Sequence, residues 1–285
     1  MNGLFLPVVV SGPDARDFLQ GQLTQDLGLL DDAAALPAAW CTPAGRVIAT
    51  LRLLSLDDAV GLVVPAALAE AIVERLSRYR LRANVRFEIG ENWRLQAVRE
   101  AADLAQLEGA GLLPENARNA ARRADGTIAV DSGATPRCVE VYAHGAGAGT
   151  AFARPLSDAE WALALVSAGS VRVDAALSEK YTPHMLNLDV TGAVSFTKGC
   201  YTGQEIVART EHLGRTKRRV GRWRADREGV LPGDVLRAGE RDVGEVVNAA
   251  GRELLAVAPV ELHGIALSCG DTKLAPLPLP YALPA

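Results

Sequence analysis

The last quarter of the chain constrains the fold most. From residue 214 onward, short apolar runs at 220–224, 234–237, 244–248 and 254–260 alternate with glycine- and aspartate-containing turns. Runs this short leave no room for a helix with a buried face, and their spacing predicts a small antiparallel β-barrel or sandwich. The end, Pro276-Leu277-Pro278-Leu279-Pro280, is held extended by proline.

The rest reads as α+β. Strands are expected at 4–10, 37–42, 46–56, 60–64, 85–89 and 94–98, the second and third joined by the turn Thr42-Pro43-Ala44-Gly45. Helices are expected at 13–20, 65–79 and 101–108, with Leu68, Ile72 and Leu76 at four-residue spacing in the second. The Ala-, Gly- and Arg-rich stretch 109–149 is the least informative. It offers strand candidates at 128–131 and 138–142. Its Gly/Ala run at 144–149 lacks the Lys-Ser/Thr ending of a phosphate loop and reads as a flexible loop. Ser157-Asp158-Ala159-Glu160 is a capping box opening a helix at 158–168, which Gly169 closes.

With 285 residues, 49% of them hydrophobic and 22% charged, the chain buries a sizeable core and is not globally disordered. A net charge of −4 excludes a general nucleic-acid coat. No apolar run reaches the roughly 18 residues of a membrane span. The first residues lack the basic region and cleavage site of an export signal. A cytoplasmic protein with no membrane partner is expected. Cys41, Cys138, Cys200 and Cys269 are far apart and form no C-x-x-C, so no stable metal site is expected. Three of the four read as small buried hydrophobes.

One string stands apart: Lys198-Gly199-Cys200-Tyr201-Thr202-Gly203-Gln204-Glu205. Its two glycines imply a tight turn, and 206–211 is suited to a helix. Cys200 then lies in a loop just before a helix N-terminus with Lys198 close by, and both features favour thiolate. On the residues alone, a buried structural cysteine is the competing reading.

Followed by Ile206-Val207-Ala208-Arg209, the string closely resembles the signature of the YgfZ family. These are folate-binding proteins of iron–sulfur metabolism on the aminomethyltransferase (glycine-cleavage T-protein) fold. Gly12-Pro13-Asp14-Ala15, Phe18 to Asp26, Ala39-Trp40-Cys41, Gly45-Arg46, Asn187-Leu188-Asp189 and Pro278-Leu279-Pro280-Tyr281 resemble the family as well. The resemblance covers most of the chain apart from about 57–149. It implies three lobes in a ring: an N-terminal α+β lobe of 1–56 with 154–213, a middle lobe of 57–153, and a barrel of 214–285. Tetrahydrofolate or a derivative would occupy the central cavity, against aromatic side chains that match Phe5 and Trp161 here. Core packing is the plainer reading of both.

Two departures from the family pattern bear on activity. Aminomethyltransferases carry an Asp-Asp pair on the strand after the first hairpin; the matching positions are Ala49 and Thr50, and neither acts as a general base. The Glu-Ala-Gly that often ends the Trp161 helix in relatives is Ser167-Ala168-Gly169, which removes one polar partner of a pterin.

The stretch 209–224 holds seven basic residues (Arg209, Arg215, Lys217, Arg218, Arg219, Arg222, Arg224) and one acid, Glu211. It contributes +6 to a chain of net −4, so the remainder carries −10. Such a surface suits a folate glutamate tail, a tRNA phosphate or an acidic protein, or is a solvated strand face. The resemblance implies an accessory factor that binds folate and supports assembly or repair of iron–sulfur clusters in client enzymes, and so indirectly tRNA modification. Cys200 would be its reactive thiol or a transient cluster ligand, with Lys198 biasing it toward thiolate and Gln204 and Glu205 bracing the loop. A folate-dependent aminomethyl transferase and an RNA-binding protein using the basic segment are the alternatives.

Overall fold

The structure, a computed structural model, describes residues 3–145, 151–213 and 216–284. Three antiparallel β-systems organise them. The first is a five-stranded sheet of β1 (Phe5–Ser11), β2 (Leu36–Cys41), β3 (Val47–Ser55), β4 (Ala59–Pro65) and β5 (Arg86–Ile89), in the order β2-β3-β4-β1-β5. Helices α1 (Ala15–Gln22) and α2 (Ala69–Tyr79) cover one face. Leu19, Ile72 and Leu76 pack there against Val8, Val10, Leu53 and Leu62, so the four-residue spacing does mark the buried stripe. The second helix starts later than its pattern suggests, because Pro65 completes β4 and Ala66–Leu68 form a 3-10 turn.

The other face of this sheet packs on a second one, of β6 (Arg94–Val98), β7 (Ala121–Ala124), β8 (Thr127–Asp131) and β9 (Val139–Ala143), in the order β6-β9-β8-β7. Leu54 and Val63 meet Ile128, Val130 and Tyr142 between the two sheets. Helix α3 (Ala101–Gly109) closes the far side through Leu107. The sheets do not divide at residue 57 as the expected lobes do. β1 pairs with β4 on one side and β5 on the other, so the first sheet runs on to Ile89. The neighbouring strands β5 and β6 therefore belong to different sheets. β7 escapes the sequence reading because Ala-Arg-Arg-Ala has no apolar run, yet Asp125 and Gly126 both have positive φ and close a tight hairpin into β8. The reading of 144–149 as a flexible loop falls mainly on residues outside those described.

Helix α4 (Asp158–Ser167) carries the capping box in full: Ser157 Oγ accepts from the Glu160 N–H, and the Glu160 carboxylate accepts from the Ser157 N–H at 2.9 Å. Gly169 follows with φ +64°. Helix α5 (Gln204–Leu213) precedes the barrel. The barrel is closed and six-stranded: β10 (Arg218–Ala225), β11 (Val235–Ala238), β12 (Arg241–Ala250), β13 (Glu253–Pro259), β14 (Leu267–Cys269) and β15 (Thr272–Leu277), in the order β10-β13-β12-β11-β14-β15. Trp223 fills its centre against Leu236, Val246, Leu254 and Leu274. The proline-rich end is in part a strand, with Pro276 opposite Trp223 at the seam. One further core joins the parts: Cys41 and Val47 of the first sheet, Val166 of α4, Val207 of α5, and Val220, Val247 and Val257 of the barrel. Among the described residues no helix is long and apolar enough to cross a membrane.

Candidate functional site

The signature loop is built by close backbone contact. Gly203 has φ +87°, and a Cβ there would sit 2.4 Å from the Thr42 carbonyl oxygen. Gly45 has φ +68°, and its Cβ would lie 2.9 Å from the Ile206 Cβ. These two glycines let the β2–β3 turn and the start of α5 interlock. Tyr201 is buried beneath them, and the Thr202 N–H donates to Gly21 O at 3.2 Å. Cys200 emerges from this support exposed, whereas Cys41 and Cys138 are buried and burial pushes both thiols up to about 12. Cys269 is half-buried.

Lys198 serves the loop differently from the sequence expectation. It is 8% exposed, and its ammonium donates to the carbonyls of Gln20, Leu23 and Gln25 at 2.6, 2.7 and 2.8 Å. An ammonium has three N–H groups, so none is left to pair with Cys200. Those carbonyls stand at and just beyond the C-terminus of α1, where unpaired C=O groups and the helix dipole favour a cation. Burial nonetheless pulls the Lys198 pKa down to about 8. Gln204 and Glu205 do not brace the loop through their side chains: among the described residues neither makes a side-chain hydrogen bond to it, and Glu205 is exposed. Gln204 contributes its backbone N–H, which donates to Tyr201 O at 3.1 Å.

A cavity of about 100 Å³ lies where β1, β3, β9 and the segment after α4 converge. Phe5, Thr50, Arg52, Arg118, Glu140 and Arg172 give its wall its character. Glu140 is 1% exposed, and its carboxylate accepts from Arg52 at 2.9 Å, Tyr142 Oη at 2.8 Å and Trp161 Nε1 at 3.0 Å. Burial and this carboxylate keep the Tyr142 phenol protonated far above its ordinary range. Arg118 donates to Ser170 Oγ and the Ala168 carbonyl and lies 5.6 Å over the Tyr281 ring. Arg172 is fixed through its backbone, which exchanges two 2.9 Å hydrogen bonds with the Asn248 amide. Its guanidinium stands 6.0 Å over the Phe5 ring and has no hydrogen-bond partner among the described residues.

Of the two aromatic candidates, Phe5 lines the cavity and Trp161 does not. Trp161 is 1% exposed, stands 5.6 Å from the Phe5 ring, and reaches the cavity through Phe5 and Glu140. Ala49 is fully buried and the Thr50 hydroxyl accepts from the Val173 N–H, so no carboxylate occupies that strand position. The Ser167 hydroxyl is satisfied within its own helix by Ala164 O. Glu140 was not singled out from the sequence. Its signal was a lone charge in the middle of the apolar strand Val-Glu-Val-Tyr-Ala.

The basic segment is not one cationic face. Arg209, Lys217 and Arg218 are exposed. Arg222 and Arg224 share Glu253. Arg219, expected on the surface, is 6% exposed because it closes a bidentate pair with Asp189 at 2.9 and 2.7 Å. Arg215 lies outside the described residues. His184, Asp189 and Glu211 place ligand-type atoms within 4.8 Å of one another. Arg219 already takes both Asp189 oxygens and His184 Nε2 is hydrogen-bonded to Glu211 at 3.0 Å, so this is a polar network tying α5 to the barrel.

The arrangement of two packed sheets and a closed barrel is an aminomethyltransferase-like fold. The crystal structure of glycine cleavage system aminomethyltransferase T from Bartonella henselae superposes with a TM-score of 0.76 over 98% of this chain and 84% of that one, at 21% identity. No family model matches the chain. It is 31% identical over 221 residues to the tRNA-modifying protein YgfZ of Colwellia psychrerythraea, covering 75% of this chain and 67% of that protein. It is 30% identical over 223 residues to the tRNA-modifying protein YgfZ of Edwardsiella ictaluri, with the same coverage. The chain belongs to the YgfZ family.

Proposed function

We propose that the protein binds a reduced folate in the central cavity and works as an accessory factor in assembly or repair of iron–sulfur clusters in client enzymes. That role would support tRNA modification indirectly, in keeping with relatives named tRNA-modifying proteins. The buried Glu140 carboxylate among three arginines and a phenylalanine carries the folate reading. Glu140 Oε1 accepts one hydrogen bond, from Trp161, and so retains acceptor capacity for the N–H groups of a pterin edge. Arg172, whose guanidinium makes no hydrogen bond among the described residues, suits the carboxylates of a glutamate tail. At about 100 Å³ the cavity would take only part of the ligand. A smaller depression lined by Ala162, Pro232 and Asn248 shares Leu165, Ser170 and Arg172 with it and offers the path for the rest of the ligand.

Ala49 and Thr50 supply no carboxylate to stabilise a cationic intermediate, which supports folate binding without aminomethyl transfer. The exposed Cys200 would be the working thiol, its loop held between the end of α1, the β2–β3 turn and the start of α5. Titration of the full chain with tetrahydrofolate should show saturable binding, and Arg172→Ala should weaken it by roughly 1–3 kcal/mol. An unchanged dissociation constant in that variant would place the folate elsewhere. In cells, Cys200→Ser should lose support of [4Fe–4S] enzyme activity while folding normally; full complementation would make the thiol dispensable.

A further inference from the structure

Lys198 sits two residues before Cys200, yet its ammonium points away from solvent into a seat of three main-chain carbonyls. Two of those carbonyls, Gln20 and Leu23, belong to the last turn and C-cap of α1; the third, Gln25, belongs to the turn that follows. The same stretch is gripped from the loop side a second time, by the Thr202 N–H on Gly21 O. The Lys198 N–H in turn donates to Ser195 Oγ, and the Ser195 N–H to Thr24 O at 2.9 Å. The segments 195–202 and 20–25 thus form one hydrogen-bonded unit with the ammonium at its centre and the Cys200 sulfur at its rim. The Tyr201 ring, 5.1 Å from the ammonium, screens it from water.

We infer that Lys198 is a positioning residue: by capping the carbonyl end of α1 it pins the loop that presents Cys200, and it does not act as the charge partner of the thiol. The inference rests on the proposed function only in taking Cys200 as the working thiol. The pinning itself is a property of the fold. Several chain carbonyls converge on one point, and without a cation there each faces a low-dielectric space unpaired. Lys198→Met keeps the length and apolar stem of the side chain and removes the donors. The released loop and α1 terminus should then open together.

The test compares wild type, Lys198→Met and Lys198→Arg in the full chain. Hydrogen exchange of the amides at 20–25 and 198–203 should speed up by about tenfold or more in Lys198→Met, with the barrel unaffected, and Lys198→Arg should recover part of the protection. The pH profile of Cys200 alkylation by iodoacetamide should keep its midpoint in Lys198→Met while its plateau rate changes. An ion-paired lysine would instead shift the midpoint upward on removal, and that result would overturn the inference. So would unchanged exchange at both segments. If Lys198→Met does not fold, Lys198→Gln, which retains two donors, is the variant to read in its place, with the same two outcomes. Neither readout depends on cluster chemistry, so failure of the Cys200→Ser cell experiment leaves the pinning intact, and loss of pinning leaves the thiol's role to be judged separately.

Discussion

Two glycines in one short motif do opposite amounts of structural work. Gly203 has positive φ and faces a backbone oxygen at a distance no Cβ tolerates; Gly199 has neither feature and nothing within 4 Å. Gly203→Ala should therefore cost roughly 2–5 kcal/mol, combining left-handed strain with an unrelievable overlap. Gly199→Ala should stay within about 0.5 kcal/mol, as exposed substitutions do. Urea midpoints at constant slope measure both, and equal effects would mean that the β2–β3 turn and α5 do not interlock. Lys198 makes the same point for charge. Near a cysteine in sequence it resembles a thiolate partner, but its ammonium is spent on Gln20, Leu23 and Gln25.

At the scale of the element, α4 shows a local signal with a distant consequence. Its N-terminus is written in Ser157 and Glu160, and one turn later the helix places Trp161 so that its indole donates to Glu140. Ser157→Ala should lower stability by about 1 kcal/mol, the usual worth of an N-cap, read by thermal or denaturant unfolding. Hydrogen bonds from the Ser157 backbone N–H and hydroxyl lower the Glu160 pKa in the folded protein. A carboxylate depressed on folding contributes above its unfolded pKa and loses that contribution as pH falls through the folded value. The gap between wild type and Ser157→Ala should accordingly narrow in acid, below about pH 4. The backbone N–H of residue 157 donates to Glu160 in both proteins, so a gap that holds constant to pH 3 would show that the Ser157 hydroxyl adds nothing to the Glu160 carboxylate.

Across the whole molecule, the C-terminal tail connects the barrel to the central cavity. Tyr281 follows β15, and its hydroxyl donates to Gly169 O at 2.9 Å and accepts from Asn187 Nδ2 at 3.3 Å. Its ring lies under Arg118, a cavity residue, and packs so tightly on Gly169 that a Cβ there would fall 2.7 Å from it. Tyr281 does not line the cavity, yet Tyr281→Ala should weaken the proposed tetrahydrofolate binding by about fivefold, or about 1 kcal/mol, by releasing Arg118. An unchanged affinity would mean that Ser170 and the Ala168 carbonyl hold Arg118 unaided.

What could be read from the chain alone was whatever is encoded over a few residues. The capped start of α4, the Thr42–Gly45 turn, the buried stripe of α2 and the barrel's short strands each follow from neighbours in sequence, where propensity and turn chemistry act. The long signature string pointed to the family and to a loop carrying Cys200. Tertiary structure decided the rest, because charge and burial depend on what arrives from far away. Arg219 reads as surface until Asp189, thirty residues earlier, takes it inside. Glu140 reads as a strand charge until Arg52 from β3 and Trp161 from α4 join Tyr142 of its own strand around it. Trp161 reads as a ligand platform until Phe5, from the first strand, takes the place on the cavity wall that Trp161 does not reach. A side chain's type is local, but the dielectric and the partners that give it a role are set by tertiary packing, which for Lys198 means carbonyls 173 to 178 positions away.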